Sequence, residues 1–166
     1  MPSSDLLVKY ADVAIKVGVA LQPGDRLLIN SPIEARDLTR VIVAQAYEAG
    51  ADEALMLDTH GNVATCNATN FFMVDRRGRV WTSTGDACLN GITRGAVIDL
   101  CHEQQIPITV GPFSVSQVYG AAEAFVTGTF GGLTPVTTLD GRTIGDGGMG
   151  PITRRLSELY LARVAG

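Results

Sequence analysis

Apolar residues recur at helical spacing near both ends of the chain and gather into short runs between them. Leu6, Leu7, Tyr10, Ala14, Val17 and Leu21 share one side of a 3.6-residue repeat, behind the N-cap chemistry of Ser4-Asp5. They predict a helix from Leu6 to Leu21. Gln22-Pro23-Gly24-Asp25 reads as a turn and RLLIN (26–30) as a short buried strand. A second helix is expected from just after Pro32 to Ala49, with Leu38, Val41, Ile42, Gln45 and Ala46 on one stripe and Gly50 ending it.

Beyond Gly50 the rhythm changes to short strands. EALML (53–57) leads into an Asp58-Thr59-His60-Gly61 turn, and TNFFMV (69–74) and RVWTS (79–83) flank Arg76-Arg77-Gly78 as a hairpin. A helix is expected from Thr93 to Gln104, a strand over IPITVGPF (106–113), one helical turn from Ser114 to Tyr119, and an apolar strand over EAFVTGT (123–129). VTTLDGRTI (136–144) reads as a hairpin with Asp140-Gly141 at its tip, and GDGGMG (145–150) as a flexible turn. Pro151 opens a last helix to Val164, with Ile152, Leu156, Leu159, Tyr160 and Val164 on one face. There is no repeat and no linker. The pattern predicts an α/β fold, a mixed sheet flanked by helices, in one compact domain spanning 1–166.

Composition narrows the partners. Hydrophobic residues make up 46% and charged residues 18%, which suits a buried core. The net charge of -4 comes with no basic patch, so nucleic acid is not expected. No apolar run approaches the roughly 20 residues of a membrane span, and the opening MPSSDLLVKYAD is too charged for a signal peptide. Cys66, Cys88 and Cys101 are odd in number and unpatterned, which suggests free thiols in a reducing, cytoplasmic setting. No CxxC or HxxxH spacing is present, and His60 and His102 stand apart, so no metal site is expected.

One stretch carries candidate chemistry. CLNGITRG (88–95) runs into AVIDLCHEQQ as a glycine turn that opens a helix. Unpaired N–H groups at a helix start favour an anion. The same residues also suit a plain cap by Asn90 or Thr93. The chain has two lysines, Lys9 and Lys16, both on the first predicted helix, where solvated charges are ordinary.

Residues 50–166 resemble the C-terminal half of fold-type IV pyridoxal-phosphate aminotransferases, the branched-chain amino acid branch above all. The carrying motifs are GADEALMLDTHGNVATCNATNFFMV, CLNGITRGAVIDLC, AAEAFVTGTFGGLTPV and DGRTIGDGGMGPITRRLSELY, in the family's order. The resemblance implies that Ile92 and Thr93 hold the cofactor phosphate, with Gly91 allowing close approach. Thr129 would add its hydroxyl, with Gly128 giving room, and Leu89 would lie against the cofactor ring. Thr65 stands where most relatives place a glutamate paired with the ring nitrogen. The family also needs a lysine that holds the cofactor as a Schiff base and shuttles a proton. A gap-free reading puts Ser31 nearest that place, and no lysine follows Lys16.

The opening segment, LLVKYADVAIKVGVALQPGDRLLINSPIEARDLTRVIVAQAYEAGA, resembles instead the N-terminus of aminopeptidase T-type metallo-aminopeptidases, without their metal ligands. Together the two resemblances imply a chimera joined within AYEAGADEALML, engineered or shuffled, or else a natural fusion. They imply a remnant phosphate cradle that binds pyridoxal phosphate weakly and has no catalytic residue. The alternative is a working aminotransferase-like enzyme acting on branched-chain amino acids. A homodimer is expected, because the resembled enzymes are dimers. The RLLIN strand and the helix after it are expected to replace the aminotransferase's lysine strand and its following helix.

Overall fold

Strand β4 (Asn70–Val74) is buried along its whole length, and the architecture follows from that. Successive side chains of a strand point to opposite faces. Phe71 and Met73 join a core with Leu55, Val63, Phe113 and Val118. Phe72 and Val74 join a second core with Val97, Leu100 and Leu156. A strand covered on both sides reads as an unbroken apolar run, as NFFMV does. The structure, a computed structural model, describes residues 4–18, 27–29, 35–48, 53–129 and 131–165.

β4 pairs antiparallel with β5 (Val80–Thr82) on one side and with β7 (Glu123–Gly128) on the other. β6 (Ile108–Val110) adds in parallel beside β5, and β8 (Gly132–Pro135) adds antiparallel beside β7. The five-stranded order is therefore β6-β5-β4-β7-β8, a mixed sheet. Helices α3 (Ile92–Glu103) and α5 (Pro151–Ala165) contribute Val97, Leu100 and Leu156 to the core on one face. Across β4 and β7, the rings of Phe72 and Phe125 stack with centroids 4.9 Å apart. The short helix α4 (Val115–Tyr119) is closed by a capping box between Ser114 and Gln117, and a small hairpin, β9 (Thr138–Leu139) with β10 (Arg142–Thr143), follows β8.

A second sheet has the order β1-β2-β3. β1 (Leu27–Ile29) runs parallel to β2 (Ala54–Leu57), with Leu28 opposite Leu55. β2 pairs antiparallel with β3 (Val63–Cys66). The reversal between them is an Asx turn, in which the backbone N–H groups of His60 and Asn62 donate to Asp58 Oδ1 at 2.8 and 2.9 Å. Helix α1 (Ser4–Asp12) continues as a π-helical turn over Val13–Gly18, and α2 is Arg36–Glu48. They meet the sheet through a small cluster of Ile15, Ala46 and Ala54.

The mixed α/β sheet flanked by helices is as expected. Some elements differ from the sequence reading. β3 and β8 were not anticipated: VATC and GLTP are too short and mixed to stand out between glycine-rich turns. The strand over 106–113 shrinks to Ile108–Val110, between Pro107, which lacks an N–H, and the bend at Gly111. Val164, expected on the inner face of the last helix, is 60% exposed in that helix's last turn. The Gln22–Asp25 turn, Gly50 and Ser31 lie outside the described residues.

Candidate functional site

The turn at Gly91 is held against the sheet by one buried side chain. Asn70, at the start of β4, donates through Nδ2 to the carbonyl of Leu89 at 2.8 Å, and the same nitrogen lies 3.4 Å from Thr65 Oγ1. A Cβ at position 91 would stand 2.5 Å from Asn70 Oδ1, so only glycine permits this approach. Gly91 is then the N-cap of α3, extended at φ -64° and ψ 146°, and no side chain caps the helix.

Neither residue that the sequence offered as a cap serves as one. Asn90 Oδ1 accepts from Arg94 Nη1 at 2.8 Å. Thr93 sits inside the helix, its Oγ1 3.3 Å from the Tyr160 hydroxyl on α5. The first-turn N–H groups, which have no partner within a helix, are therefore left unclaimed by side chains. They lie at the positive end of the helix dipole.

A cleft of about 360 Å³ opens in front of this turn. All seven residues singled out in the sequence line it. Thr65 comes from β3. Leu89, Gly91, Ile92 and Thr93 come from the turn and the start of α3. Gly128 and Thr129 come from the end of β7. Leu89 and Ile92, 85% and 94% exposed, form its open lip. Thr65 donates to the carbonyl of Thr69 at 2.8 Å, so its hydroxyl proton is engaged and it faces the cleft as an acceptor.

Thr127 also lines the cleft, and the sequence reading missed it. It is 2% exposed, and its Oγ1 has no hydrogen-bond partner among the described residues. A buried hydroxyl left unpaired costs about 1–3 kcal/mol, which makes it a natural contact for a ligand. The signal was available: Thr127 precedes Thr129 by two positions, and the pleat gives i and i+2 one face.

No lysine lines the cleft. Lys9 and Lys16 are exposed on the N-terminal helix, and Lys16 Nζ lies 2.7 Å from Asp12 Oδ1. That hydrogen bond, with the charge of Asp12, holds the Lys16 pKa above its ordinary value. Cys66, Cys88 and Cys101 form no disulfide. Burial pushes the Cys101 thiol up to about 11, whereas Cys88 borders the cleft. Among the described residues no three His, Cys, Asp or Glu side chains gather to hold a metal, and no helix is long and apolar enough to cross a membrane.

This arrangement can do one thing plainly: present backbone and hydroxyl donors to a small anion beside an apolar lip. The profile of the family described as Amino-transferase class IV matches residues 30–139. The chain belongs to that family. It is 42% identical over 134 residues to branched-chain-amino-acid aminotransferase-like protein 2 of Arabidopsis thaliana, covering 80% of this chain and 24% of the relative. It is 33% identical over 162 residues to a putative branched-chain-amino-acid aminotransferase of Methanocaldococcus jannaschii, covering 96% of this chain and 56% of the relative.

Among solved structures, a branched-chain amino acid aminotransferase from Escherichia coli superposes with a TM-score of 0.73 at 28% identity. That match covers 85% of this chain and 52% of the other. The chain thus spans between about a quarter and about half of the length of these relatives. The family match begins at residue 30, upstream of the join expected near Gly50.

Proposed function

We propose that this chain is the phosphate-holding portion of a pyridoxal-phosphate aminotransferase that acts on branched-chain amino acids. One observation carries the proposal: the uncapped start of α3 and Thr127, whose hydroxyl is unpaired among the described residues, line the same cleft as all seven sequence-selected residues. The N–H groups of Ile92 and Thr93 and the hydroxyl of Thr129 take the phosphate. Gly91 and Gly128 keep the backbone close to it, Leu89 lies against the ring, and Thr65 accepts from the ring nitrogen. A neutral acceptor there stabilises a charged ring less than a carboxylate would. When bound, the cofactor supplies an electron sink for the substrate carbon, and the chain supplies binding and orientation.

A second reading is favoured by the lysines. Moving a proton at the substrate carbon requires a base beside the cofactor, and neither Lys9 nor Lys16 lines the cleft. In this reading the chain holds the cofactor without turnover, as a chimeric domain whose first fifty residues are aminopeptidase-like. Self-association fits either reading. Leu6, Tyr10, Val13 and Val17 are 57%, 63%, 59% and 73% exposed, and apolar surface of that kind tends to be covered by a second copy.

The test is a titration with pyridoxal 5'-phosphate, followed by absorbance and thermal shift, joined to an assay of leucine with 2-oxoglutarate. Saturable binding with turnover is the result expected of the aminotransferase. Binding without turnover selects the second reading. No binding by either probe defeats both.

A further inference from the structure

Arg94 is a buried cation without a counter-charge. It is 5% exposed, and none of the ion pairs found among the described residues includes it. A guanidinium stays protonated in any protein environment. Burying such a charge unpaired is costly. Its position makes the cost larger: Arg94 sits in the first turn of α3, where the helix dipole is itself positive.

Its hydrogen bonds do not remove the charge. Nη1 donates to Asn90 Oδ1 at 2.8 Å and Nη2 to the carbonyl of Ser83 at 2.5 Å. Nε is buried and has no partner among the described residues. All the acceptors in contact are neutral. The fork ties the end of β5, through Ser83, to Asn90, the residue just before the Gly91 cap. It therefore braces the turn whose N–H groups look into the cleft. Thr127, which lines that cleft, also has a buried hydroxyl with no partner among the described residues. Arg94 lies behind the turn, outside the lining.

We propose that Arg94 is a positioning residue for a phosphate monoester, bracing the Gly91 turn and supplying from behind it the positive charge that balances a dianion at the start of α3. The inference rests on the phosphate-cleft reading above. Arg94 does not touch the ligand, because it does not line the cleft. It selects phosphorylated ligands over their unphosphorylated counterparts through its field, which is strong because water is excluded around it.

The test compares pyridoxal 5'-phosphate, pyridoxal and inorganic phosphate by calorimetry on the full chain, across a range of ionic strength, for the parent, Arg94→Met and Arg94→Lys. The parent is expected to bind the phosphorylated compound at least about tenfold more tightly than pyridoxal, tenfold being about 1.4 kcal/mol. Arg94→Met loses about tenfold or more for pyridoxal phosphate and for phosphate, keeps its affinity for pyridoxal, and shows a flatter salt dependence. Arg94→Lys keeps the charge, so it retains the salt dependence and most of the preference for phosphate.

Should Arg94→Met fail to fold, Asn90→Ala, which frees the fork but keeps the charge, carries the test: it is expected to weaken binding of pyridoxal phosphate and of phosphate while keeping the salt dependence, and an unchanged affinity for both overturns the bracing role. Equal losses for pyridoxal and its phosphate, or an unchanged preference in Arg94→Met, overturn the role of Arg94 while leaving the cleft in place. Absence of binding by phosphate and by pyridoxal phosphate in the parent overturns the cleft reading itself, and this inference with it.

Discussion

The later part of the chain and its opening helices use apolar residues differently. In the five-stranded sheet Phe72, Val80 and Phe125 are 0% exposed, as is Leu156 on the helix that covers it, and a buried apolar cluster lies on either side of β4. The opening helices meet the three-stranded sheet through Ile15 and Ala46 against Ala54 of β2, while Leu6, Tyr10, Val13 and Val17 stay open to solvent. The anion chemistry lies in the first region and both lysines lie in the second. A site that must hold a phosphate within tenths of an ångström needs a backbone fixed by packing on both faces. The opening helices offer an amine, but no comparable frame to aim it.

The largest effect expected from this contrast is on stability. Phe72→Ala should cost about 3–5 kcal/mol, because it empties a stacked, fully enclosed ring site. Tyr10→Ser, on the exposed stripe, should stay within about 0.5 kcal/mol. Chemical denaturation of both variants measures the difference, and similar losses would erase the distinction between the regions.

Next comes the turn. Gly91→Ala would place a methyl group 2.5 Å from Asn70 Oδ1. We expect it to weaken pyridoxal phosphate binding about tenfold or more, a change of about 1.4 kcal/mol. Gly95→Ala, one turn further along α3 with open space around it, should leave binding unchanged. Calorimetry on the pair separates a local clash from a general effect of alanine.

A smaller effect concerns Cys101, whose thiol is raised from 9.0 to about 11 by burial. A folded pKa above the unfolded one gives stability that is fully present below pH 9.0 and is lost as pH rises through about 11. Cys101→Ala should lack that part of the decline, read as the difference between the two proteins' melting curves from about pH 8 to about pH 11. The smallest effect is at the lysines: Lys16→Ala should leave pyridoxal phosphate affinity unchanged, because Lys16 is exposed and paired with Asp12 rather than placed at the cleft. A loss of binding in that variant would join the two regions functionally.

The sequence disclosed most where physics leaves little choice. NFFMV, the Arg77-Gly78 hairpin and the helix from Pro151 were readable because long apolar runs and turn residues admit one arrangement. β3 and β8 were hidden, since their pairing depends on partners distant in sequence. At the site, the glycine turn pointed to an anion, and the family resemblance supplied Thr65, Leu89 and Thr129. Thr127 was legible from its spacing and was passed over. Arg94 was not legible: its meaning comes from being buried without a carboxylate, and only the packing of β5 against the Asn90 turn reveals that.

The central claim is that the start of α3, with the end of β7 facing it, is the anion site. Amide NMR of the parent protein during titration with pyridoxal 5'-phosphate addresses it directly. The account predicts that the largest saturable shifts fall on Ile92, Thr93 and Thr129. Saturable shifts confined elsewhere, such as the Arg76–Arg79 turn, with those three amides unmoved, would contradict it.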